Sequence, residues 1–158
     1  MRDSSASASG ISDLPMQILI GACIIAFAAP IFYSAYDDIS SNVTENRIEE
    51  ELNVLLETME LVLAGDFGTT IEINLDLKGF GSVSIDKISI GGPLDDSPER
   101  FVLSYALSNG YGKKFTLDPP YPIVSSENST LELNSGSFDL KVTNERNEME
   151  NHILVELL

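Results

Sequence analysis

The stretch from Leu14 to Tyr36, LPMQILIGACIIAFAAPIFYSAY, runs for 23 residues without Lys, Arg, Asp, Glu or His. No other feature limits the possible folds as tightly. A bilayer core about 30 Å thick needs roughly 20 helical residues to cross it. A secretory signal has a shorter apolar region, of about 7–15 residues, set between positive charge and a small-residue cleavage site. Here Arg2 is the only preceding base, and the run passes directly into Tyr36, Asp37 and Asp38. Length and flanks favour a retained membrane helix over a cleaved signal. Ile20-Gly21-Ala22-Cys23 imitates a lipid-attachment box, yet Ile24 to Phe32 stays apolar where a lipidated cysteine would open a polar tether. Cys23 therefore reads as a small residue on a membrane helix.

Pro15 suits a first helical turn, with Ser12 or Asp13 as the N-cap. Pro30 lies inside the helix, removes a backbone hydrogen bond and is expected to kink it, which membrane helices tolerate. Gly21, Ala22, Ala26, Ala28 and Ala29 are small enough to let neighbouring helices approach closely. Tyr33 and Tyr36 fall where an interfacial aromatic belt would lie. With Arg2 before the run and Asp37, Asp38, Glu45 and Glu49 to Glu51 after it, the charge bias puts the N-terminus in the cytoplasm and the bulk of the chain outside. Two glycosylation sequons, at Asn42 and Asn128, agree with an external domain.

After the membrane segment, Ile48, Leu52, Leu55, Met59 and Val62 recur at spacings of four, three, four and three. That is one apolar seam of an amphipathic helix, broadened by Leu56 and Leu63 into a stripe able to cover a sheet. Gly65 marks the stop. Ser40 to Thr44 is the least helical section, a kink or a polar collar. From Thr69 the period changes to two: Ile71, Ile73, Leu75 and Leu77 alternate with polar residues. Further strands are expected over Val83–Ile85, Ile88–Ile90, Phe101–Tyr105, Lys114–Leu117, Leu131–Leu133, Phe138–Val142 and Ile153–Leu157. Asn109-Gly110 and Asn134-Ser135-Gly136 mark turns, and Asp118-Pro119-Pro120-Tyr121-Pro122 a loop. The expected fold is α+β: a long N-terminal hydrophobic helix followed by an antiparallel sheet or sandwich head. The expected divisions are an N-terminal leader over 1–10, a membrane or filament-core helix over 11–36, an amphipathic continuation over 37–65 and a β-rich head over 66–158.

Catalytic parts are scarce. The formal net charge of −16 disfavours nucleic acid, which needs clustered Lys and Arg. One cysteine excludes an internal disulfide, and one histidine, His152, makes a metal site or a nucleophile–histidine pair improbable. Gly79-Phe80-Gly81 lacks the strand-to-helix setting of a phosphate loop. Asp95-Asp96 carries oxygen ligands suited to Ca²⁺, but an acidic chain offers many such pairs on solvated loops. Neither a cofactor nor an enzymatic activity is expected.

A short polar leader, an uninterrupted apolar helix, an amphipathic continuation and a β-rich head occur here in that order. With the Gly10-Ile11-Ser12-Asp13-Leu14-Pro15 opening, this resembles the type IV pilin superfamily, particularly archaeal pilins and pilin-like proteins with a class III signal peptide. The resemblance implies cleavage between Gly10 and Ile11 by a prepilin-peptidase-like membrane enzyme. It also implies that Asp13 stands for the acid many members carry close to the new N-terminus. The helix, through Leu14, Pro15, Gly21, Ala22, Ala26, Ala29 and Pro30, would pass from membrane to the core of a helical homo-oligomer, leaving glycosylated heads on the cell surface, some with adhesive roles.

Two functions are therefore expected. One is a non-catalytic structural subunit of an extracellular pilus-like filament or pseudopilus. The other is a single-pass, membrane-anchored β-domain that binds a surface-layer or motility-motor partner.

Overall fold

The computed structural model describes residues 10–93, 98–146 and 151–158, with side chains from Pro15 onward. Its one α-helix, α1 (Gly10–Ala64), precedes eight strands among the described residues: β1 (Thr70–Leu77), β2 (Ile85–Ile90), β3 (Leu103–Leu107), β4 (Gly112–Phe115), β5 (Ile123–Ser125), β6 (Leu131–Leu133), β7 (Gly136–Arg146) and β8 (Asn151–Leu157). The fold is α+β, as the change of hydrophobic period at Thr69 requires. Two compact units divide the chain, one ending at Asp38 and the other spanning Ile39–Leu158. Helix α1 contributes to both.

In the second unit, the head, the strands form two four-stranded sheets, ordered β1-β7-β8-β5 and β4-β3-β2-β6. Alternation builds the long β1–β7 pair: Ile73 faces Leu140 and Leu75 faces Phe138 across an antiparallel ladder. Leu75, Leu77, Leu140 and Val142 are buried, while Glu72, Asn74 and Asp139 on the other face reach solvent. The helix seam Ile48, Leu52, Leu55, Met59 and Val62 has no exposed surface and shares one core with both sheets. The head thus has no interior without this helix, whose 3.6-residue period supplies one wall of the core. The two sheets also meet at Gly91 and Gly92, just past β2, against Ile123 of β5. Gly92 N–H donates to Ile123 O at 3.1 Å. A Cβ on Gly91, whose φ is +60°, would stand 2.2 Å from Ile123 O, so only glycine admits this approach.

The strand expectations differ in detail. Phe101 lies in a 3-10 turn (Pro98–Phe101) rather than in β3, because Pro98 pre-sets a turning φ. The returning strand covers Gly112–Phe115 instead of Lys114–Leu117, set by the register Ser104↔Lys114 and Tyr105↔Lys113. Strand β5 follows the proline loop and pairs in parallel with β8, the single parallel pairing among the described strands. Ser40 to Thr44 is helical, and Ser40 and Thr44 are fully buried.

Candidate functional site

The apolar segment of α1 is the feature that the fold leaves unfinished. Its most apolar 18-residue window has a mean hydropathy of 2.2 and none of it is buried. Met16, Ile18, Leu19, Ile20, Ile24, Ile25, Phe27, Ile31, Phe32, Tyr33 and Tyr36 are all exposed, Phe27 by 78%. Withdrawing one such side chain from water stabilises by about 1.5–3 kcal/mol. Eleven together outweigh the net stability of about 5–15 kcal/mol typical of a whole domain. The helix is long and apolar enough to cross a membrane.

Helical geometry continues unbroken through Pro15 and Pro30. Pro30 has no N–H to offer the Ala26 carbonyl, so that acceptor must be satisfied another way. Pro15, Ala22, Ala26 and Ala29, spaced by seven, four and three, share one face. Gly21 makes room for nothing within the chain, since an added Cβ there meets no atom within 4 Å. A glycine costs about 1 kcal/mol relative to alanine inside a helix, so its place is unexplained by this chain's own packing. Gly10, Ile11, Asp13 and Leu14 are helical, and the rest of the leader lies outside the described residues.

Beyond the apolar segment, polar side chains of α1 fasten the head. Thr44 Oγ1 accepts from Phe80 N–H at 2.9 Å, and Ser41 Oγ accepts from Asn109 Nδ2 at 2.9 Å. Glu49 Oε1 accepts from Lys113 Nζ at 2.8 Å and from the Tyr105 hydroxyl at 3.2 Å. Burial, with the Glu49 carboxylate beside it, pushes the Tyr105 phenol well above its ordinary pKa. Lys113 is also raised, chiefly by its hydrogen bond to Glu49. Asp76 receives Arg47 at 2.6 Å and Lys78 at 2.7 Å. The Lys78 hydrogen bond is the main cause of its lowered pKa, against which partial burial works. The heptad seam was readable in the sequence; these polar ties of α1 were not, because their partners lie 29 to 68 residues away.

The remaining candidate residues do not converge. Among the described residues no three His, Cys, Asp or Glu side chains gather to hold a metal. Asp95 and Asp96 lie outside the described residues. His152 is buried on β8 opposite Glu145, with its Nε2 at 3.7 Å from the Glu145 carboxylate. The outer face of β2, β3 and β4 carries a groove of about 340 Å³ floored by Ser89 and Ser104 and bordered by Lys87, Lys114 and Glu132. Neither His nor Cys lines it. The sequons differ in setting: Asn42 is exposed on α1 beside the buried Thr44, whereas Asn128 is exposed in the turn between β5 and β6, with φ at 50°. Comparison of the chain with family models, curated proteins and solved structures finds no match.

Proposed function

We propose that this chain is a non-catalytic, pilin-like structural subunit. It would reside first in a membrane through α1 and then assemble through the same helix into a filament or pseudopilus on the cell surface. The single observation that supports this reading is the bare apolar run from Pro15 to Tyr36, ahead of a head already complete in its own core. Such a helix needs a nonaqueous neighbour, and lipid and sister helices serve equally, because each offers apolar contact without hydrogen-bonding demands. Gly21 and the Ala22, Ala26 and Ala29 face then make sense as the surface where backbones approach. Processing between Gly10 and Ile11 by a prepilin-peptidase-like enzyme would release the leader and expose the helix start. Glycosylation, on this reading, falls on Asn128, the sequon in an exposed turn.

N-terminal sequencing and negative-stain microscopy of sheared surface material test the proposal. Fibres whose subunits begin at Ile11 support it. Intact Met1 in a detergent-soluble monomer or dimer would instead favour a membrane-anchored head that binds a surface-layer or motor partner.

A further inference from the structure

We propose that the heads of neighbouring copies join edge to edge. The free edge of β1 in one copy would pair antiparallel with the free edge of β4 in the next, in the register that sets Glu72 opposite Lys114. The inference rests on the filament step of the reading above.

An unpaired strand edge is a template for another strand. β1 and β4 each end a sheet. The main-chain groups that β1 leaves free follow from its ladder. Asp139 O accepts from Leu158 N–H at 3.0 Å, so Asp139 turns toward β8 and its partner Asn74 turns away from β7. Asp76 agrees, since its N–H donates off the sheet to Glu51 Oε2 at 3.2 Å. Its carbonyl accepts from Lys78 N–H at 3.1 Å, which closes that end of the edge. By alternation Glu72 and Asn74 present both N–H and C=O outward. On β4, Tyr111 O accepts from Leu107 N–H at 2.8 Å. Tyr111 and Lys113 therefore turn toward β3, and Gly112 and Lys114 turn outward. All four outward residues are exposed. Gly112 has no side chain, so its exposed surface is main chain.

Charge selects the partner. Residues 101–117, which include β3 and β4, hold no Asp or Glu in a chain with 25 of them. Lys113 pairs with Glu49 at 2.8 Å, which leaves Lys114 as the base that β4 offers on the outer face of its sheet, beside Ser104. β1 offers Glu72. Two β1 edges would bring acids together and two β4 edges would bring lysines together, whereas opposite charges attract across a strand pair.

The register then fits at each neighbouring position. With Glu72 opposite Lys114, Asn74 stands opposite Gly112 and Ile71 opposite Phe115. Directly opposed residues share a face, so the charges meet on the outer side. Ile71 and Phe115 meet on the inner side, and each is only partly buried within its own head. Because the two edges differ, the contact is heterologous and repeats from copy to copy, as a filament needs.

Cysteines report the register. Glu72→Cys and Lys114→Cys are placed together in the full-length chain, with Cys23→Ala to remove the native thiol. Opposed residues of a hydrogen-bonded antiparallel pair stand about 5.5 Å apart at Cα, within disulfide reach. Oxidised fibres sheared from cells are expected to give a ladder of covalent multimers. Thr70→Cys with Lys114→Cys, two residues out of register, is expected to give none. Fibres without a ladder, or with an equal ladder in the Thr70 control, overturn the pairing and leave the filament reading standing. A covalent dimer from Glu72→Cys alone assigns the edge to a symmetric β1 contact and equally overturns it. Absence of fibres from the wild-type chain overturns both. Should the paired cysteines prevent assembly, charge reversal decides. Glu72→Lys and Lys114→Glu are each expected to cut fibre yield severalfold, and the double reversal to restore it. Equal yields in all three, or no recovery in the double variant, overturn the pairing.

Discussion

The side-chain amide of Asn144, on β7, stands 3.3 Å from the main-chain carbonyl of Val62 and 3.4 Å from that of Gly65. A strand thereby adds a side-chain donor at the end of a helix, where the last carbonyls lack their usual partners; Val62 O also accepts from Gly65 N–H at 3.2 Å. The last turn of α1 has no basic residue to serve in that role. Asn144 is buried, and its own main chain exchanges hydrogen bonds with Gly68 and Thr69.

Asn144→Ala removes both bonds, leaving Val62 O with Gly65 N–H alone, and is expected to cost about 0.5–1.5 kcal/mol. Asn144→Asp is expected to cost more, since it sets a carboxylate against the negative end of the helix dipole. Chemical denaturation of the full chain in detergent checks both. Midpoints equal to wild type would remove the capping role.

The two sides of α1 within the head should respond oppositely to truncation. Leu52 is fully buried and Leu61 is 64% exposed. Leu52→Ala is expected to destabilise by about 2–5 kcal/mol, and Leu61→Ala to stay within about 0.5 kcal/mol of wild type. Similar losses at both positions would show that the helix buries a different face.

Acid weakens the head through Asp76. Its carboxyl is held below the ordinary range mainly by the Lys78 hydrogen bond, with Arg47 assisting. A carboxyl whose folded pKa is lowered contributes stability above its unfolded value, about 3.9. That contribution is lost as pH falls through the folded value. Denaturation midpoints should drop below about pH 4, and the drop should be shallower in Asp76→Asn. Parallel slopes for the two proteins would contradict the assignment.

Alkali acts at the Tyr105–Glu49–Lys113 cluster. Tyr105 is raised by burial and Lys113 by its Glu49 hydrogen bond. A group whose folded pKa is raised keeps its full contribution below the unfolded value, about 10 for both groups. The contribution disappears as pH rises through the folded value. Ultraviolet titration should show one phenol ionising only as the head unfolds, and Tyr105→Phe should abolish that late step. An unchanged late step would assign it to another tyrosine, with Tyr121, also raised by burial, the next to replace.

Local periodicity made much of this architecture legible. Ile48 to Val62 announces a helix face, Ile71 to Leu77 a strand, and Asn109-Gly110 a hairpin in which Tyr111 N–H donates to Asn109 Oδ1 at 3.0 Å. What stayed hidden depends on partners distant in sequence. Strand β5 is three buried residues after a proline loop, and only its pairing with β8 makes it a strand. Ser40 and Thr44 look like a break in the apolar seam, yet both are buried, and Thr44 answers a backbone N–H 36 residues away. The candidate membrane and assembly segment was readable throughout, because a long run without charge speaks without reference to the rest of the fold.

Cys23, the only cysteine in the chain, lies exposed on the apolar segment and reports its surroundings directly. Intact cells or sheared surface material can be treated with a membrane-impermeant maleimide before and after denaturation in detergent. If lipid or sister helices cover α1, Cys23 stays unlabelled in the native material and labels fully once denatured. Ready labelling of native protein, or recovery of a water-soluble head lacking Cys23, would contradict the account.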